Sequence, residues 1–111
     1  MKFKLGIFSL SLIFSISSFA GNCVMNVTRV SCPGVEKECF AKCAGKENCD
    51  EIKKVGSEEA CNKEALKNCF VFRPGVTKSK KITATFDGKS LNGGKNYCDP
   101  VQKDFGYDTC K

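Results

Sequence analysis

The chain has 111 residues, nine of them cysteine, with no histidine and no tryptophan. That length holds one domain, since domains run ~100–200 residues. The missing imidazole excludes histidine triads and classical zinc fingers, because histidine is the side chain that titrates near neutral pH.

Residues 1–20 read as a secretory signal peptide. Lys2 and Lys4 open it, residues 5–16 are largely apolar, and Ser18 and Ala20 supply small residues for a peptidase. The apolar run is about twelve residues, while a spanning helix needs ~20, so no transmembrane span is expected. The expected product is a cysteine-rich domain over 21–111, secreted or periplasmic. Cys23 lies just past the apolar run, where a lipoprotein carries its lipid. Ala20, Gly21 and Asn22 match a lipoprotein cleavage box poorly.

All nine cysteines fall downstream of the cleavage site. In an exported chain that density signals a disulfide scaffold. Four of the nine phenylalanines leave with the leader. The expected core draws on Phe40, Phe70, Phe72, Phe86, Phe105, Val35, Ile52, Val55, Leu66 and Ile82. The expected bridge formers are Cys32, Cys39, Cys43, Cys49, Cys61, Cys69, Cys98 and Cys110. Nine is odd, so one thiol is lipidated, free or paired with a second chain as a disulfide-linked dimer. Cys23 is the expected odd one, because order is weakest near a terminus. Bridges are expected to take the thiols in preference to metal. No Cys-x-x-Cys motif occurs, and no cofactor is expected.

Residues 24–30 read as a strand rich in β-branched side chains. Within it Asn26, Val27 and Thr28 match a glycosylation acceptor, a three-residue pattern that also arises by chance. Pro33 and Gly34 mark a turn. A helix over 35–44 follows, with Glu36 and Glu38 at its start, Lys42 near its end and Gly45 as its stop. Cys39 and Cys43 lie one turn apart on its inner side. Cys61 and Cys69 lie two turns apart, so antiparallel helices align one pair but not both. A bridge from Cys43 to Cys61 near the connecting loop therefore matches a stapled hairpin only in part, with Cys32, Cys49 or the tail as the other partner of that face. A short helix is expected over 49–55, capped by Asn48 with Glu51 three residues on. The strongest helix covers 58–69. Ser57 caps it, Glu59 can meet Lys63, and Cys61, Ala65, Leu66, Cys69 and Phe70 form its apolar stripe.

After Pro74 and Gly75 the spacing changes to alternation. Ile82, Ala84 and Phe86 share one face of a strand, and Lys81, Thr83 and Thr85 the other. Asp87 and Gly88 then signal a hairpin, with residues 89–91 as the return strand. The tail from Lys95 reads as loop held by Cys98 and Cys110. The whole is α+β: a small disulfide-rich domain of two or three short helices followed by a C-terminal β-hairpin.

Charge is uneven. Residues 21–70 balance eight basic against eight acidic groups, while residues 71–111 carry eight basic and four acidic. Arg73, Lys78, Lys80 and Lys81 cluster there as candidate anion binders. An acidic polymer, a lipid headgroup or an acidic protein surface would suit them, and lysines also guard strand edges. Nucleic acid is not expected, since no aromatics interleave with these lysines. Adjacent carboxylates such as Glu58 and Glu59 read as helix-start charges, and no catalytic residue is assigned. The expected role is a noncatalytic exported binding or structural protein. The alternatives are a toxin, inhibitor or host-directed effector, with residues 88–98 as the loop to present, and a lipoprotein anchored at Cys23.

Overall fold

The computed structural model describes residues 20–105 and Cys110. The expected leader lies outside the described residues, save Ala20. The fold is mixed α+β. Its elements are β1 (Gly21–Ser31), α1 (Glu36–Cys39), β2 (Asn48–Val55), α2 (Glu58–Cys69), β3 (Thr77–Phe86), β4 (Lys89–Ser90) and α3 (Asp99–Phe105). Short 3-10 turns cover Ala41–Cys43 and Asn92–Gly94. The strands form one antiparallel sheet in the order β2-β1-β3-β4.

β1 is the central strand. Its alternate residues Cys23, Met25, Val27 and Arg29 are buried, and they face Phe86, Ala84, Ile82 and Lys80 of β3 in register. Because side chains alternate across a strand, all of these share the face covered by α2. Asn22, Val24, Asn26 and Thr28 lie on the open face. There Asn26 bonds Asn48 and Asp50, so the acceptor pattern sits in a paired central strand.

The segment expected as a helix over 49–55 is β2. Its inward positions Glu51 and Lys53 are charged, while Ile52 faces out at 67 % exposure. The polarity that normally marks a strand is inverted, and this hid its period. Asn48 caps no helix and instead donates to Asn26 and Thr28 across the sheet. The helix expected over 35–44 is also cut short. α1 ends at Cys39, a 3-10 turn follows, and Ala44 and Gly45 turn left-handed with φ of 54° and 86°.

α2 forms where expected. Its Ser57 hydroxyl accepts from the Ala60 N–H at 3.1 Å, filling the cap that its first turn requires. Only the narrow stripe of Cys61, Ala65 and Cys69 is buried, with Leu66 and Phe70 exposed. These small residues let the helix lie close to the sheet. Asp87 and Gly88, at φ of 50° and 86°, make the two-residue turn from β3 to β4. Positive φ at both turn positions suits the sheet's twist. The hairpin is not the end of the fold: α3 follows it, where loop was expected, and places Val101 in the core. With only two apolar residues in seven, Val101 and Phe105, α3 had little periodic signal.

Sulfur takes the place that the phenylalanines were expected to fill. Cys23, Cys61, Cys69 and Cys98 are fully buried beside Val27 and Ile82, whereas Phe72, Phe86 and Val55 pack only at the margin. The four bridges are Cys23–Cys61, Cys32–Cys110, Cys43–Cys49 and Cys69–Cys98. Cys23 is therefore not the odd thiol. It sits mid-sheet under α2, and the unpaired thiol is the buried Cys39. Cys43 does not reach Cys61, because it sits against Arg29 near one end of β1 while Cys61 is bonded to Cys23 near the other, and the chain after the 3-10 turn brings Cys49 back to Cys43. A lipid on Cys23 is incompatible with a sulfur already bonded inside the core. A dimer bridged through the odd cysteine has no accessible thiol to use in this state.

Candidate functional site

The inward face of the sheet changes character at one end. Beyond Val27 and Ile82 the next inward pair is Arg29 and Lys80, at 6 % and 3 % exposure. Burying two cations requires partners, and neighbouring elements supply them. The Lys80 ammonium donates to the Asn68 carbonyl at 2.8 Å, the Asn68 side-chain oxygen at 2.7 Å and the Val71 carbonyl at 2.7 Å. Two of these acceptors are backbone carbonyls at and just past the last turn of α2, where a cation meets the negative end of the helix dipole. Burial and the nearby Arg29 charge pull the Lys80 pKa down to about 8, against a smaller opposing effect of Glu51.

Arg29 donates to Glu51 at 3.1 Å and to the Cys43 sulfur at 2.9 Å. Asn68 donates to the other oxygen of Glu51 at 3.0 Å. Burial pushes the Glu51 carboxyl up, but the hydrogen bonds from Arg29 and Asn68 and the charges of Arg29 and Lys80 outweigh it. The net effect holds Glu51 below the ordinary carboxylate value. The result is a closed network across β1, β2, β3 and α2.

Above this network lies a cleft of about 440 Å³. Arg29, Lys42, Lys53 and Lys67 line it, with Met25 and Val71 as apolar wall. Its two carboxylates are already engaged, Glu51 by Arg29 and Glu64 by Lys53 at 3.0 Å. Among the described residues, Lys42 and Lys67 form no ion pair. The cleft thus sets four cations, one of them a buried guanidinium, against two carboxylates. Arg29 has five N–H donors, and two of them are taken by Glu51 and Cys43. The arrangement can hold an anion.

The four basic residues expected to act together do not. Lys80 is inside the network and carries a structural role. Lys81 lies on the open face opposite Thr28, and Lys78 is exposed beside a bulge in the pairing of β1 and β3. Arg73 alone reaches the cationic region, lining a second concavity. Sequence spacing missed Arg29, Lys42, Lys53 and Lys67 because they come from four separate elements. One signal was available: Arg29 continues the inward series Cys23, Met25, Val27, which marks it as a buried charge. The segment 88–98, read as a loop to present, is anchored by buried Leu91, Tyr97 and Cys98, leaving the 3-10 tip exposed.

No protein-family model, curated protein or solved structure matches the chain. Among the described residues, no helix is long and apolar enough to cross a membrane.

Proposed function

We propose that this small disulfide-stabilised protein is exported and serves as a noncatalytic binding protein for an anionic partner. Residues 1–20 are its removed leader and 21–111 its working domain. Four bridges support the export reading, since such bridges persist in oxidising compartments. The observation that carries the binding reading is the cleft's charge: both carboxylates are internally paired while Lys42 and Lys67 are not. Anions are drawn to such a focus of positive potential. The linear cluster at Arg73, Lys78, Lys80 and Lys81 no longer carries this role, because its members point to different places.

The test is elution from a sulfonate cation-exchange matrix. Lys42→Gln with Lys67→Gln should lower the salt needed for elution more than Lys78→Gln with Lys81→Gln, although both pairs remove the same charge. Equal shifts would show that net charge alone governs retention, and the cleft would lose its functional reading.

A further inference from the structure

The second concavity, about 230 Å³, shares Arg29, Lys42 and Val71 with the first. The two are therefore neighbouring parts of one depression, separated by a common wall. On the far side of that wall Arg73 joins the lining, beside Thr77 and Cys39. The Arg73 carbonyl accepts from the N–H groups of Val76 and Thr77, each at 3.0 Å, so its backbone is held by a turn. Positive groups thus follow one another along the depression: Lys67 and Lys53, then Lys42 and Arg29, then Arg73. Glu38 is the carboxylate among the described lining residues on the Arg73 side.

A single small anion would occupy one of these places. A succession of cations along a groove fits a ligand that carries anionic groups in succession. We infer that the groove binds a linear acidic polysaccharide, with one anionic disaccharide against Lys42, Lys67 and Arg29 and a later disaccharide of the same chain against Arg73. This rests on the proposed anion-binding role of the cleft and adds its ligand class and a second subsite. Polysaccharide is favoured over nucleic acid by the walls. The aromatic ring lining them, Phe72, is half-buried, whereas single strands are held by bases stacked on exposed rings.

The experiment titrates the folded protein with heparin-derived oligosaccharides of two, four, six and eight sugars at fixed ionic strength. A ligand long enough to reach both subsites gains from effective concentration, so affinity should rise about tenfold or more between two and six sugars and then level. Arg73→Gln should flatten that rise and leave disaccharide affinity within about twofold. It should also reduce the salt slope for the hexasaccharide by about one, as expected for one lost anion contact. A rise that Arg73→Gln does not change would overturn the second subsite while the cleft itself stands. Disaccharide binding that Lys42→Gln with Lys67→Gln leaves intact would remove the underlying cleft reading instead. Single-stranded DNA of matched charge binding as tightly as the octasaccharide would overturn the choice of polysaccharide.

Discussion

At the scale of single residues, Lys80 is the most informative side chain. Its proton is held less tightly folded, at about 8, than in an exposed lysine near 10.5. Between those values the unfolded chain binds a proton that the folded one lacks, so native stability gained from this group rises with pH across the window. Replacing Lys80 by Met removes that dependence. In a Cys39→Ala background, which prevents thiol exchange at alkaline pH, urea unfolding should show it. From pH 7.5 to 9.5 the parent should gain about 2 kcal/mol relative to the Lys80→Met variant. Parallel pH profiles would contradict the assignment of Lys80 to the buried network. Below neutrality Lys80 is charged in both states and contributes no slope. Glu51 acts in the opposite range: its depressed value favours the folded state above the ordinary carboxylate pKa, and that contribution is lost as acid protonates it.

At the scale of elements, local chemistry was legible wherever a segment's surroundings agreed with its pattern. Ser57 and the carboxylates after it marked α2, and Asp87 with Gly88 marked the hairpin turn, because cap and turn geometry are set within a few residues. β2 was illegible because Glu51 and Lys53 point inward to partners on β1 and α2, contacts between residues distant in sequence. The cleft was illegible for the same reason. The bridges follow the same division. Cys43–Cys49 closes a separation of six residues, against 29, 38 and 78 for the others. A short loop restricts the unfolded chain least. Its Cys49 side is half-buried while the four core sulfurs are sealed. Attack on Cys49 expels the Cys43 sulfur, which the Arg29 guanidinium touches at 2.9 Å, and a stabilised thiolate leaves faster. Limiting dithiothreitol followed by alkylation and peptide mapping should therefore label Cys43 and Cys49 first. Earlier labelling of Cys32 and Cys110 would show that exposure of the Cys110 end outweighs the Arg29 contact.

At the scale of the whole molecule, the core is small and two of its bridges are part of it. Cys23–Cys61 fastens α2 to β1, and Cys69–Cys98 fastens the other end of α2 to the segment entering α3. Each bridge contributes ~2–4 kcal/mol, against ~5–15 kcal/mol for a domain's entire net stability. Full reduction should abolish the cooperative thermal transition and the helical circular dichroism of α2. An unchanged melting temperature with all thiols alkylated would mean that apolar packing suffices. The same bridges hold the cationic region in place. They fix α2 over the sheet, which places Lys67 in the cleft beside Arg29, and Cys43–Cys49 sets the 3-10 turn that carries Lys42.

In the proposed role, anion binding converges in this groove and not along the basic run of sequence near Lys78 and Lys81. Amide chemical shifts of the isotopically labelled protein, followed through titration with a heparin-derived hexasaccharide, test it most directly. Perturbations are expected to centre on Arg29, Lys42, Lys67 and Arg73, with the open-face strand positions around Thr83 unmoved. Shifts centred on Lys78, Lys81 and Thr83 would contradict it.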